Sequence, residues 1–144
     1  MTGVLKILFW FAVLVVLVVV NVAAWVRFAP TDVARWHVMP QVDGNEDLPG
    51  GVKRRVAGAG AEGLAAFDRV ARAAPRTRVL AGAPGEGMVT YVSRSRVFGF
   101  PDYTTAALDG DDLVVFGRLR YGQSDLGVNR VRVEGWLAAA GLAP

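Results

Sequence analysis

Val114-Val-Phe-Gly-Arg-Leu-Arg-Tyr121, followed at once by Gly122-Gln-Ser-Asp-Leu-Gly-Val-Asn-Arg130, is the stretch whose reading sets the architecture. Its first half is rich in β-branched and aromatic residues and reads as a strand. Asp109-Gly110 just upstream is a hairpin turn signal. Gly122 breaks the strand, and Ser124 or Asp125 then offers a short side-chain oxygen to a free helix N–H, as an N-cap does. A helix is predicted from there to about Ala140, with Gly141 at the left-handed position past its end.

The core face of that helix should carry Leu126, Val133, Leu137 and Ala140 at helical spacing. Asn129 and Arg130 fall on the same stripe, three and four residues after Leu126. A buried charge without a partner costs several kcal/mol, so Arg130 is expected to find a carboxylate: Asp102 first, Asp125 second. Two readings stand side by side. In the plainer one, Arg130 and Asp102 are a structural clamp that fixes the last helix on the sheet. In the sharper one, they line a ligand or catalytic site. Ion pairs that only hold a fold together also concentrate charge, which favours the clamp.

Phe98-Gly-Phe-Pro-Asp102, together with Arg120-Tyr-Gly-Gln-Ser-Asp-Leu-Gly-Val-Asn-Arg130, resembles the signature of the uncharacterised bacterial and plastid "domain of unknown function 1499" family. The resemblance covers Met88 to Leu142 and extends toward Arg35-Trp36-His37. The family tends to carry serines around the arginines that precede the signature, and Gly117 and Leu119 occupy those places here, which argues against serine chemistry. The resemblance implies a shared fold and polar cluster and no activity.

Upstream, Glu62 to Ala74 reads as a helix with Leu64, Phe67, Ala71 and Ala74 on its apolar side. Asp68 and Arg72, four apart, can pair on its wet side. Four strands are expected next: Thr77–Ala83, Met88–Phe98, Asp102–Leu108 and Leu113–Tyr121, joined by turns short enough for hairpins. The expected fold is therefore an α+β two-layer sandwich. It has a four-stranded antiparallel meander and two helices, in the order α-β-β-β-β-α, with both helices on one face. Alternation places Arg94 with Arg96, and Arg118 with Arg120, each pair on one face of its strand. If the pairs met, they would suit a carboxylate or phosphate. Otherwise they are solvated rows with acidic partners such as Glu86 or Asp102.

At the N-terminus, Ile7 to Val26 is apolar except for Asn21, with Trp10 and Trp25 near its ends. That matches the ~20 residues a bilayer-spanning helix needs, and it exceeds the apolar core of a signal peptide. Residues 1–28 are read as one retained transmembrane anchor, although Val22-Ala-Ala24 has the small residues of a cleavage site. Residues 29–60 are read as a juxtamembrane segment and linker, with one short helical turn within Thr31–Trp36, and 61–144 as the α+β domain. Lys6 and the terminal amine lie on one side of the anchor and Arg27 and Arg35 on the other, so the positive-inside rule is close to a tie. A short N-terminus in the cytoplasm is preferred, with the domain on the periplasmic side of the inner membrane. A cytoplasmic domain is the alternative.

Within the linker, Lys53-Arg54-Arg55 reads as a solvated loop or as a contact for anionic lipid head groups. Gly58-Ala-Gly-Ala-Glu-Gly63 has the spacing of a dinucleotide-binding loop, but Lys53-Arg54-Arg55 before it does not read as a buried strand, and the strands after it read as antiparallel.

Composition narrows the function. Net charge is +3 with no cysteine. Lys6 and Arg27 supply two of those charges, so the remainder is close to neutral and lacks the clustered excess of a nucleic-acid binder. No disulfide, thiolate metal site or cysteine nucleophile can form. The single His37 cannot build a multi-histidine metal site and reads as a packing residue. No metal or cofactor is implied. The function expected is a non-enzymatic binding or accessory module of the envelope. Its region of interest comprises Asp102, Arg118, Arg120, Ser124, Asp125, Asn129 and Arg130. Partners would be the bilayer through residues 7–26 and a membrane protein or small anionic ligand. An enzyme using Asp102 or Asp125 as acid or base is the alternative.

Overall fold

The computed structural model describes residues 2–144. Helix α1, Gly3–Phe28, reaches a mean hydropathy of 2.9 over a window that is nowhere buried, and by length and composition it can cross a membrane. Its one central polar group is satisfied within the helix, Asn21 Nδ2 donating to Leu17 O at 2.8 Å, as apolar surroundings require. Toward its end Val26 and then Ala29 are buried against the rest of the protein.

No loose linker follows. Asp32 caps the short α2, Val33–Trp36, by accepting from Ala34 N at 3.1 Å. The stretch read as linker contains a hairpin instead: β1, Glu46–Leu48, and β2, Gly51–Val56. Helix α3, Gly60–Ala73, comes next, then β3 Thr77–Ala83, β4 Met88–Arg94, β5 Pro101–Asp109, β6 Asp112–Leu119 and α4 Val128–Ala139.

The sheet has six strands in the order β1-β2-β6-β5-β4-β3, every neighbouring pair antiparallel. The expected four-strand meander is present as β3–β6, and the count of four is corrected to six. A run of three cations hid the extra hairpin, because each cation is neutralised by an acid that the run itself does not show, across the hairpin or far along the chain. Lys53 meets Glu46 at 3.4 Å, Arg54 meets Asp47 at 2.6 Å and also Glu134, and Arg55 meets Asp112 at 2.6 Å and also Asp109. Lys53-Arg54-Arg55 is thus part of a paired strand rather than a solvated loop.

The glycine-rich turn does join a strand, β2, to a helix, α3, contrary to the sequence reading. It is nonetheless no phosphate cradle. Asp112 Oδ1 already accepts from Gly58 N at 3.0 Å, and that bond, ahead of Arg55, holds the Asp112 carboxyl below its usual range.

The alternation of each strand builds two different faces. On one, α3 and α4 pack Leu64, Phe67, Val133, Trp136 and Leu137 against Val52, Val89, Tyr91, Leu113 and Val115. Asp68 is not on the wet side as expected. It pairs with Arg72 at 2.7 Å but is nearly buried, and it accepts from Tyr91 Oη at 2.8 Å. Gly117 has no side chain because β6 passes close under α4: a β-carbon there would stand 3.0 Å from Val133 Cγ2. The other face is not left open. Residues 29–45 cross it as a strap, with Trp36 stacked on Tyr103 at 4.1 Å and 20°, Val42 against Ala107 and Val114, and His37 Nδ1 2.9 Å from Thr90 Oγ1.

Candidate functional site

The residues singled out in the sequence divide between the two faces. Beneath the start of α4 lies a polar cluster. Asp125 Oδ1 accepts from Gly127 N at 2.9 Å, and its Oδ2 accepts from Asn129 N at 3.0 Å and from Asn129 Nδ2 at 2.8 Å. Asn129 is fully buried. Its amide also reaches Asp102 Oδ2 at 3.3 Å, and its Oδ1 accepts from Arg132 Nη1 at 2.8 Å. Arg132 closes the ring with Asp102 at 3.3 Å. Burial above all pushes the Asp102 carboxyl up, and Arg132 acts against it.

The expected Asp102–Arg130 pair is therefore not made. Arg130 is half-exposed and reaches Asp47 at 3.3 Å. Helix phase is the reason. The helix begins at Val128, with Gly127 as N-cap, rather than directly after Ser124 or Asp125. Leu126 lies outside it, with φ of +53° and 94% exposure, so it cannot anchor the core stripe. The true stripe is Asn129, Val133, Trp136 and Leu137. Arg132, three residues after Asn129, flanks it, whereas Arg130 turns away. Asp125 still caps the helix, from two residues before the N-cap. Ser124 Oγ accepts from Leu126 N at 3.3 Å.

Arg118 and Arg120 lie on the strap face, away from this cluster. Arg118 Nη2 donates to Trp36 O at 2.7 Å, and its Nη1 reaches Phe116 O at 3.1 Å and Thr105 Oγ1 at 3.2 Å. The guanidinium sits 5.3 Å from the Trp36 ring and 4.8 Å from that of Phe116. Burial lowers its pKa to about 10, against a small opposing effect of Tyr103. Arg120 donates to Pro30 O at 2.9 Å and to Tyr103 Oη at 3.3 Å. Arg94 donates to Gly99 O at 2.9 Å and Val26 O at 3.4 Å. Arg96 does not share a strand face with it, because β4 ends at Arg94. Among the described residues, none of Arg94, Arg118 and Arg120 has a carboxylate partner. Asp102, proposed for that role, is on the opposite face of β5.

A groove of about 400 Å³ runs beside the strap, with Trp36, Met39 and Phe116 as its apolar part and Arg35, Lys53 and Arg118 as its cations. The sequence reading missed Trp36 and Phe116 as site residues. The signal available was the Arg35-Trp36-His37 run, an aromatic flanked by basic groups in a segment otherwise read as linker. Among the described residues no three His, Cys, Asp or Glu side chains gather in a way that could hold a metal ion.

The family profile described as "Protein of unknown function (DUF1499)" matches residues 52–139, more than half of the chain. The chain belongs to the DUF1499 family. No curated protein matches it. The match extends the resemblance seen from Met88 back to Val52 in β2, so the hairpin strand read as linker belongs to the DUF1499 domain. Helix α1 and the strap lie outside the matched span. The groove therefore joins side chains of the DUF1499 domain, Phe116 and Arg118, to a strap residue, Trp36, that the family match does not include.

Proposed function

We propose that this protein is a membrane-anchored, non-enzymatic binding module of the cell envelope that takes a small anionic ligand in the groove beside the strap. Arg118 carries the reading. A desolvated guanidinium normally has a carboxylate or phosphate partner, because hydrogen bonds to neutral oxygens repay only part of the cost of removing it from water. Here it has carbonyls, a hydroxyl and two aromatic rings, and its open side faces an apolar groove that also holds Arg35. A ligand with an anionic head and an apolar body fits that composition. The Asp102–Asn129–Asp125–Arg132 ring supports the non-enzymatic half of the proposal, since its members are spent on one another. We further place α1 in the inner membrane, with the domain on the periplasmic side. A C-terminal reporter that works only in the cytoplasm should stay silent, and its activity would reverse the orientation.

Titration calorimetry on the full chain in detergent, with 2-naphthoate and 1-naphthyl phosphate as probes, tests the ligand class. Saturable binding of at least one probe is expected, weakened about tenfold or more in Arg118→Met, as loss of a charge-assisted hydrogen-bond pair should do. Failure of both probes to bind the wild type, or equal binding by the variant, overturns the reading.

A further inference from the structure

A second cleft opens on the strap face where α1 ends. It has a volume of about 560 Å³, and its lining includes Arg27 and Phe28 from the last turn of α1, Arg76 and Arg78 around the start of β3, and Val92 and Arg94 from β4. None of its described lining residues is acidic. Two of the arginines are tied to the backbone: Arg94 to Gly99 O and Val26 O, and Arg76 Nε to Arg94 O at 3.2 Å. Burial and then the like charge of Arg78, with Arg27 and Arg120 behind it, pull the Arg94 pKa down, Tyr103 acting the other way. Guanidiniums crowd together here with no counter-ion among the described lining residues, an arrangement that an anion with several acceptor oxygens would relieve.

Position decides which anion. Arg27 and Phe28 close the apolar helix, and Phe28 is 80% exposed. The loop after β4 lies against the same place: a β-carbon on Gly99 would stand 3.2 Å from Arg27 Nε. That loop turns Val97, 77% exposed, and the partly exposed Phe98 and Phe100 outward. Phe98 and Phe100 lie 5.9 Å apart, and Phe100 and Tyr121 6.3 Å apart. Exposed aromatic and aliphatic side chains beside the end of a spanning helix belong at the level of the lipid head groups, where basic side chains meet anionic phosphate.

We propose that this cleft receives the phosphate of an anionic phospholipid whose acyl chains lie along α1, with Arg27, Arg78 and Arg94 around the phosphate and Val97, Phe98 and Phe100 in the adjoining interface. The site is separate from the groove of Trp36 and Arg118 and rests on α1 crossing the bilayer. Bound there, one lipid would fix the height and tilt of the domain on the membrane.

The test uses the full chain reconstituted with phosphatidylcholine and phosphatidylglycerol, then delipidated in detergent and weighed by native mass spectrometry. The wild type should retain phosphatidylglycerol over phosphatidylcholine by about tenfold, as several basic groups near a lipid surface should achieve. Arg27→Gln with Arg78→Gln, both exposed positions, should lose the preference and keep the circular dichroism of the wild type. Equal retention of the two lipids by the wild type, or a preference that survives in the double variant, overturns the proposal. Inorganic phosphate that raises the melting temperature of the delipidated wild type as much as phosphatidylglycerol does would make free phosphate the ligand and overturn the lipid assignment. A chain stripped from membranes by alkaline carbonate would overturn the anchor itself. A retained chain without lipid preference sinks the head-group site alone.

Discussion

On the helix-covered face of the sheet, Asp102, Asn129, Asp125 and Arg132 bond to one another. On the strap-covered face, Arg94, Arg118 and Arg120 bond to carbonyls and hydroxyls and, among the described residues, meet no carboxylate. The two faces are adjacent surfaces of the same strands: Asp102 and Tyr103 are consecutive residues of β5 and point to opposite sides. The difference teaches where to look for a ligand. A closed polar ring offsets part of its desolvation from within, by pairing acid with cation and amide, whereas cations held only by neutral oxygens keep the larger unsatisfied electrostatic demand.

The strongest way to break this comparison is in the packing. Phe67 is fully buried and lies 5.8 Å from the Trp136 ring, edge to face. Phe67→Ala should cost about 3–5 kcal/mol in denaturant unfolding. Trp36→Ala should cost less, about 2 kcal/mol, because the strap can lift from the sheet and water can fill the gap. Equal losses would mean that the strap is as integral to the fold as the helices.

Charge comes next. Arg132→Met leaves the Asp102 carboxylate with only the Asn129 amide, and a loss of about 2–3 kcal/mol at neutral pH is expected, short of the full cost for a wholly buried pair. The pH dependence has a definite sign. The pKa of Asp102 is raised in the folded protein by burial, and without Arg132 it should rise further. The folded state then takes up the proton before the unfolded state does. The variant's deficit should therefore shrink as pH falls from neutral through the raised pKa, toward the ordinary carboxylate range. Melts of wild type and variant across that interval check it. A deficit that grows on acidification would show that Asp102 is not the group left unpaired.

On the other face, Arg118→Met should change stability by no more than about 1 kcal/mol, since replacing an unpaired desolvated charge by an apolar group of similar length is often neutral or favourable. The same substitution should weaken anion binding about tenfold or more. A large loss of stability instead would make Arg118 a structural pin for the strap, although Trp36 O keeps a second donor in Thr105 Oγ1 at 3.3 Å. Smallest of all, Arg130→Ala should leave the melting temperature within experimental error, because its pair with Asp47 is half-exposed on both sides. A loss comparable to that of Arg132→Met would restore Arg130 to the place the sequence first suggested for it.

Much of the fold was legible because it is written in local chemistry. The strands of the meander, the Asp109-Gly110 hairpin, the helix ended by Pro75 and the apolar run of α1 each follow from residues within a few positions of one another. The polar cluster was half legible. Asp102, Asp125 and Asn129 were picked out, but their cation was misassigned. Leu126 was taken as the anchor of the core stripe although it lies outside the helix, which drew Arg130 onto that stripe in place of Arg132, and a leucine at positive φ is not a signal that spacing can carry. The hairpin β1–β2 was illegible because its cations are neutralised by residues up to 80 positions away, Arg54 by Glu134 among them.

Taken alone, the sequence determined that the chain has one apolar segment able to span a bilayer, an antiparallel meander, two helices for one of its faces and a cysteine-free chemistry. These depend on composition and short-range periodicity. Only the tertiary structure decided which arginines find acids and which do not. It also decided that residues 29–45 are a strap rather than a tether, and that Arg27, Arg78 and Arg94 converge beside the end of α1. Pairing and convergence are properties of distance in space, and elements far apart in the chain must fold together before they exist.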